Sequence, residues 1–371
     1  MTRLPERNLD VLRTIAVSCV LFDHVFDPLT RQIGFMPLWR LGRVGVLLFF
    51  VHTSLVLMAS LERLGTSGNS TWKWTRAFYI RRAFRIYPLA IATILALLVF
   101  HIPAFFVNRG AYPPYIPPST KVIVTNVALA QNLFYQPDLM GPLWSLPVEV
   151  QMYVVLPLLY LLARRSWPAL LTALGVAIVL GLAVQFSSLP LIGRFTMFVF
   201  APCFVSGVIA YRFCLTRTTR HGTPLRAARR IILPAWTWPL AIAVAIVVFV
   251  LCQATPWHLE RTWPFCLLLG VFIPSIAELP ESWITRSAAT VAKYSYGIYL
   301  CHVPLLWFCT IKLYGQPFVI QALVFATLLV LVPFAAYHLI ESPAIKLGVK
   351  LAHGSMRGTK SPINVSTAPA P

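Results

Sequence analysis

The sequence predicts an all-α, polytopic bundle of about ten transmembrane helices with both termini cytoplasmic, and three observations carry that prediction. Of 371 residues, 58% are apolar and 11% charged, whereas soluble domains run near half apolar and a quarter charged. Runs such as "LPAWTWPLAIAVAIVVFVLC" at 233–252 recur, each long enough to cross a hydrocarbon core of about 30 Å as a helix. The 31 Lys and Arg outnumber the 11 Asp and Glu for a formal charge of +20, yet they gather in short segments between apolar runs. That is how a multi-pass chain sets its orientation; a nucleic-acid binder would display one basic face, so no nucleic-acid partner is expected.

The first apolar run, 10–27, lacks a small-residue cleavage pattern and holds ionisable groups, so it is expected to stay as a span rather than be removed as a signal. Further runs follow at 43–61, 86–106, 143–163, 167–186, 194–212, 232–252, 264–278, 292–311 and 318–340, bounded by Pro, Gly or charge. The stretch "KVIVTNVALAQNLFYQ" (121–136) is apolar but short and contains Asn126, Gln131, Asn132 and Gln136. It reads as re-entrant or interfacial, and charge placement supports leaving it out, because counting it would invert everything after it. Without it, the basic connections 62–85, 164–165 and 212–230 and the tail from Lys346 fall on the side of Arg3 and Arg7, which the positive-inside rule makes cytoplasmic. The Pro-rich loop 102–121 is then outside; Arg31, Arg40 and Arg43, in the first outer loop, are exceptions. Residues 1–348 form the transmembrane domain, and 349–371, small, polar and aperiodic, a disordered cytoplasmic tail. No other segment is long and polar enough to be a soluble catalytic domain, so any chemistry is expected within the bundle. The seven cysteines are odd in number, show no CxxC and lie in or beside apolar runs, which predicts buried free thiols and no metal site.

Ionisable residues inside spans are costly, and by default they face a cavity or a partner. Arg13 and His24 are eleven residues apart, so they project from one helix face about 16 Å apart along the axis. Arg13 falls near the cytoplasmic end and His24 deeper, toward the outer leaflet. Histidine suits a general base near neutral pH; the plainer alternative is an interfacial imidazole bonded to Asp23 or Asp27. In "FYIRRAFRIYPL" (78–89) Arg82 and Arg85 share a face at the start of the third span. They suit phosphate binding, or else act as snorkelling cytoplasmic anchors. Glu149 is the only acid in "GPLWSLPVEVQMYVVLPLLY" (141–160), near Trp144, Ser145 and Tyr153. A buried carboxylate needs a proton or a partner: it orients a histidine, relays a proton or binds hydroxyls, or it pairs with an arginine. His302, in "KYSYGIYLCHVPLLW" with Tyr299, reads as a site residue or a hydrogen-bonded core histidine, and His52 is similar.

Taken in order, these segments resemble the integral-membrane acyltransferase family 3, bacterial enzymes that O-acylate surface polysaccharides, Nod factors and macrolides. The resemblance rests on "LDVLRTIAVSCVLFDH", "GRVGVLLFFVHTSLVL", "FYIRRAFRIYP", "LWSLPVEVQMYVVLPLL", "YSYGIYLCHVPLL" and "HLIESPAIKLG" and covers roughly residues 8–348. The chain departs from the family pattern at Val11, Thr53-Ser54, Cys301 and Ser342, where glycine, Ser-Gly, tryptophan and arginine are usual. The appended hydrolase-like domain of some members is not expected. The resemblance makes 1–348 a transmembrane acyltransferase domain in the inner (plasma) membrane. It implies no permanently bound cofactor, acyl-CoA (acetyl-CoA) as donor and a hydroxyl-bearing carbohydrate or glycosylated or lipidic acceptor. Arg13, Arg82 and Arg85 would hold the donor, His24 and Glu149 would be catalytic, and Trp144, Ser145, Tyr299 and His302 would position acceptor or oxyanion. An acyl-histidine intermediate is a variant. The competing expectation is a proton-coupled transporter or exporter, in which His24 and Glu149 relay protons.

Overall fold

The computed structural model describes residues 4–32, 39–65, 70–103, 115–187, 189, 193–215, 233–252 and 262–356. Among them all regular structure is helical apart from one isolated bridge between Leu233 and Ile276. In chain order the helices are α1 (Glu6–Gln32), α2 (Trp39–Gly65), α3 (Thr71–Val99), α4 (Thr120–Val127), α5 (Ser145–Arg165) and α6 (Trp167–Gln185). They continue as α7 (Thr196–Leu215), α8 (Thr237–Cys252), α9 (Thr262–Phe272), α10 (Trp283–Trp307), α11 (Phe318–Ala336) and α12 (Ser342–Met356). The re-entrant candidate 121–136 is the short α4 followed by a 3-10 turn, Gln131–Phe134.

Six helical stretches among the described residues are long and apolar enough to cross a membrane. The ten runs read from sequence divide further. α1 and α10, of 27 and 25 residues, have the length but carry charges, of which Glu6, Asp10, Arg13 and Lys293 line the interior described below. α8 and α9 are shorter, at 16 and 11 residues. The third helix starts at Thr71, not at 86, because "TWKWTRAFYIRR" is helical too; Arg82 and Arg85 therefore sit about three turns inside α3. In the region expected to be a disordered tail, α12 continues through 349–356, and 357–371 lie outside the described residues. So do 104–114 of the outer loop and 216–230 of the basic connection.

α2 and α7 form the middle of the bundle, buried along most of their length, whereas α6 and the continuous Phe318–Ser355 rod are mostly uncovered. Exposed Leu171, Val176, Val179, Leu323, Val330 and Leu331 make these outer helices apolar surfaces that only lipid satisfies. Close approach at the centre depends on small residues. An added Cβ on Gly207 of α7 would lie 2.0 Å from Ser54 Oγ and 2.2 Å from the Val51 carbonyl oxygen on α2. Overpacking of a dense core costs about 1–3 kcal/mol, so Gly207→Val is expected to lower the melting temperature of the detergent-solubilised protein by several degrees. An unchanged melting curve would mean that α2 and α7 do not meet here.

α1 is tied to the segment entering α10 at both backbone and side-chain level. Asn8 Nδ2 donates to the Ala277 carbonyl at 3.1 Å, the Leu279 amide donates to Asn8 Oδ1 at 2.8 Å, and Arg7 pairs with Glu278 at 3.3 Å. α10 then starts on a capping box, Ser282 with Thr285, which satisfies helix amides that would otherwise lack partners. These ties set the α1–α10 register on which the site depends. Of the seven cysteines, the six whose side chains are described are free, and five of them are buried.

Candidate active site

Two connected cavities run up the inside of the bundle. The mouth, about 770 Å³, opens between the start of α1 and the α10–α12 side, and is lined by Glu6, Asp10, Arg63, Lys293 and Tyr337. The inner cavity, about 100 Å³, is lined by Arg82, Ser145, Glu149, Tyr153, Ser295 and Tyr299. Arg13, His52, Val56 and Arg85 border both and so form the neck between them.

The inner cavity is a charge cluster in an apolar bundle. Arg13, Arg82 and Arg85 all lie close enough to act electrostatically on Glu149, which accepts a short hydrogen bond from Tyr153 Oη. Tyr153 is four residues further along α5, on the same helix face. Arg13 Nε donates to Ser295 Oγ at 2.6 Å, and Arg85 is ion-paired with Glu341. Counting formal charge, three guanidiniums face two carboxylates, which leaves the space positive and suited to an anion.

At the end of the inner cavity away from the mouth, Ser145 Oγ and Tyr299 Oη are 2.7 Å apart, and both reach the Pro142 carbonyl, at 3.3 and 2.9 Å. The two hydroxyl protons are taken up inside this triangle. It latches α10 to the 3-10 turn Gly141–Trp144 that leads into α5. The preceding segment is internally braced: Asn126 holds Pro137 and Leu139, and Gln131 Nε2 donates to Asp138 at 2.8 Å. Burial pushes the Asp138 carboxyl above the usual range, and the Gln131 bond draws it partly back.

One turn beyond Tyr299 on α10, the His302 ring meets His24 of α1 edge-on, with centroids 4.9 Å apart. Each imidazole Nδ1 faces a carbonyl four residues earlier, Val20 at 2.9 Å and Ile298 at 3.1 Å. A carbonyl only accepts, so in the neutral rings Nδ1 carries the proton and Nε2 the lone pair. Both histidines thus present a basic nitrogen. His302 is 1% exposed, with Nε2 buried and unpartnered among the described residues, whereas the His24 side chain is 33% exposed. Asp23 Oδ2 lies 3.8 Å from His24 Nδ1; the Asp27 side chain lies outside the described residues.

The structure therefore brings Arg13, Arg82, Arg85, Glu149, Ser145 and Tyr299 to one cavity and His24 and His302 to one pair just beyond it. Glu149 keeps company with Tyr153 and the arginines, and the ring beside His24 is that of His302. Trp144 packs against Phe50 and Phe200, next to the cavity. A neutral His302 accepts through Nε2, which suits a substrate hydroxyl better than an oxyanion. Ser295 and Glu341 were not anticipated as site residues. Glu341 carried a signal of the same kind as Glu149, a lone acid at the end of an apolar run, whereas Ser295 carried none.

Apolar outer helices around an interior of charged side chains define a class, the polytopic membrane proteins with a polar interior. Within that class the chain belongs to the integral-membrane acyltransferase family 3, whose model, described as an acyltransferase domain, matches residues 6–338. The peptidoglycan O-acetyltransferase OatA of Listeria monocytogenes is 24% identical over 92% of this chain and 56% of its own length. Nodulation protein 10 of Rhizobium leguminosarum bv. viciae is 24% identical over 80% of this chain and 82% of its own. The chain thus spans little more than half the length of the first of these relatives. No solved structure matches.

Proposed function

We propose that this chain moves an acyl group, acetyl in the first instance, from acyl-CoA to a hydroxyl of a carbohydrate or a glycosylated or lipidic acceptor, with His24 as general base. The observation that carries this reading is the succession of a wide mouth, a neck and cavity bearing three arginines and, beyond the Ser145–Tyr299 latch, a pair of histidines. A thioester donor with anionic phosphates at one end and a slender arm at the other has that distribution of charge and width. Peptidoglycan O-acetylation in one relative supports a polysaccharide hydroxyl as acceptor.

In the reaction, His24 Nε2 takes the proton of the acceptor hydroxyl as its oxygen attacks the thioester carbonyl; the C–S bond then breaks and the imidazolium returns the proton to the departing thiolate. The Val20 carbonyl holds the other ring proton throughout, so the ring keeps its orientation. His302 Nε2 accepts a hydrogen bond from a neighbouring hydroxyl of the acceptor and so aims the reacting oxygen at the thioester. The same reading places ten spans in the inner membrane with both termini cytoplasmic and the mouth facing the CoA pool. Glu6, Asp10 and Arg13 of α1 and Lys293 of α10 are then accounted for by the interior they line.

Purified protein in detergent, given radiolabelled acetyl-CoA alone and with peptidoglycan fragments or oligosaccharides, is expected to release CoA and label the glycan. Absence of both thioester cleavage and labelling across these acceptors, in a sample that is folded by its melting curve, would overturn the reading. Proton-coupled flux in proteoliposomes by that same sample would establish the transporter instead.

A further inference from the structure

Arg82 and Arg85 sit one turn apart on the same face of α3, but their surroundings differ. Arg85 Nη1 is paired with Oε1 of Glu341, the last residue of the π-helical turn Tyr337–Glu341 between α11 and α12. The Glu341 side chain is fully enclosed, and its second oxygen, Oε2, is buried with no partner among the described residues. A carboxylate taken out of water needs its counter-charge, and among the described residues Arg85 supplies it. Arg82 makes no hydrogen bond or ion pair among the described residues, and its Nε is buried and unpartnered. It faces the inner cavity, within electrostatic reach of Glu149.

The scaffold around Glu341 is built for a fixed contact. A π-turn inserts an extra residue into the helix and re-aims the side chains at its end, here turning an acid inward from a rod that otherwise faces lipid. α12, which follows directly, is pressed against α3: a Cβ added to Gly348 would come within 2.6 Å of Phe84 Cβ. Tyr296 Oη of α10 donates to the Ile86 carbonyl at 2.8 Å, and its ring lies 5.6 Å from the Arg85 guanidinium. Arg85 is thus gripped from α10 and from the π-turn, next to an Arg13 that is itself held by Ser295 across the neck.

We propose that the two arginines divide their work: Arg82 binds an anionic phosphate of the donor, and Glu341 is a positioning residue that clamps Arg85 as a wall of the neck. The proposal rests on the reading of acyl-CoA as donor. Arg85 has Nη1 and its charge committed to Glu341, whereas Arg82 offers all its donors to an anion in the inner cavity. The clamp fixes the neck through which the donor passes from mouth to inner cavity, so its removal misplaces the thioester more than it weakens donor affinity.

The full chain in detergent tests this with five variants: Arg82→Ala, Glu341→Ala, Glu341→Gln, Arg85→Glu and the exchange Arg85→Glu with Glu341→Arg. Arg82→Ala is expected to raise the acetyl-CoA KM about tenfold or more. Glu341→Ala is expected to lower kcat about tenfold and to reduce the melting temperature, with a smaller change in KM. Glu341→Gln, which keeps an acceptor for Arg85, is expected to restore part of both, and the charge exchange is expected to recover most of the melting temperature that Arg85→Glu alone loses. The proposal is overturned if Glu341→Ala raises the donor KM as much as Arg82→Ala does, or if the exchange melts no higher than the single reversal. Should the wild-type chain not turn over acetyl-CoA, the donor reading fails by itself, and the melting comparison still decides the clamp.

Discussion

His24→Ala is expected to lower kcat by about 10²- to 10⁴-fold, the share that a positioned acid–base group contributes, while donor affinity changes little. The separation follows from place. His24 lies on the far side of the Ser145–Tyr299 latch from the arginine cavity, so donor phosphates near Arg13 and Arg82 are about 16 Å from it along α1. Its Nδ1 proton is committed to Val20, so in the neutral ring the lone pair is on Nε2. His302 carries the same tautomer but is buried, so it serves less well as the group that exchanges protons with an incoming substrate. His302→Ala is therefore expected to reduce turnover less than His24→Ala and to weaken acceptor rather than donor binding. Steady-state kinetics with the acceptor and donor varied separately would show both effects. Turnover unaltered in His24→Ala, with the protein folded, would remove His24 from the chemistry.

Much of this interior was legible as a one-dimensional pattern because the membrane makes every ionisable residue conspicuous. Arg13 and His24 stand out in an apolar run, and the helix period alone puts them on one stripe. Arg82 and Arg85 stand out in the same way; the structure lines the inner cavity with Arg13, Arg82 and Arg85 and pairs His24 with His302 beyond it. What the pattern did not show was who faces whom. Glu149 read equally well as a partner for a histidine or for an arginine, because spacing along α5 says nothing about which helix crosses it; the packing puts it among Arg13, Arg82 and Arg85. Glu341 was visible as a lone acid, but its direction depends on a π-turn that no residue period announces. The start of α3 was misplaced because "TWKWTRAFYIRR" is too charged to look like a span, although nothing in it breaks a helix.

Glu149→Ala is expected to be the most damaging substitution to stability, at about 3–5 kcal/mol, because it removes one partner from a buried charge cluster and takes from the Arg13 and Arg82 guanidiniums the carboxylate of the inner cavity. Set against a total of about 5–15 kcal/mol for a typical domain, that loss should appear as poor recovery from the membrane and an early melt. Glu149→Gln separates charge from shape. The amide oxygen still accepts the Tyr153 hydroxyl, so the α5 contact survives, but the cavity becomes one charge more positive. Attraction for an anionic donor then rises, because charges act strongly in a poorly solvated interior. The acetyl-CoA KM of Glu149→Gln is therefore expected to stay level or fall, with a melting temperature between those of wild type and Glu149→Ala. An acid that worked by orienting His24 would behave otherwise: its amide would depress kcat and displace the pH profile of turnover while leaving donor KM alone. The two patterns exclude each other, so one kinetic series with the donor varied across pH decides whether Glu149 belongs to the arginines, as the packing indicates, or to the histidine.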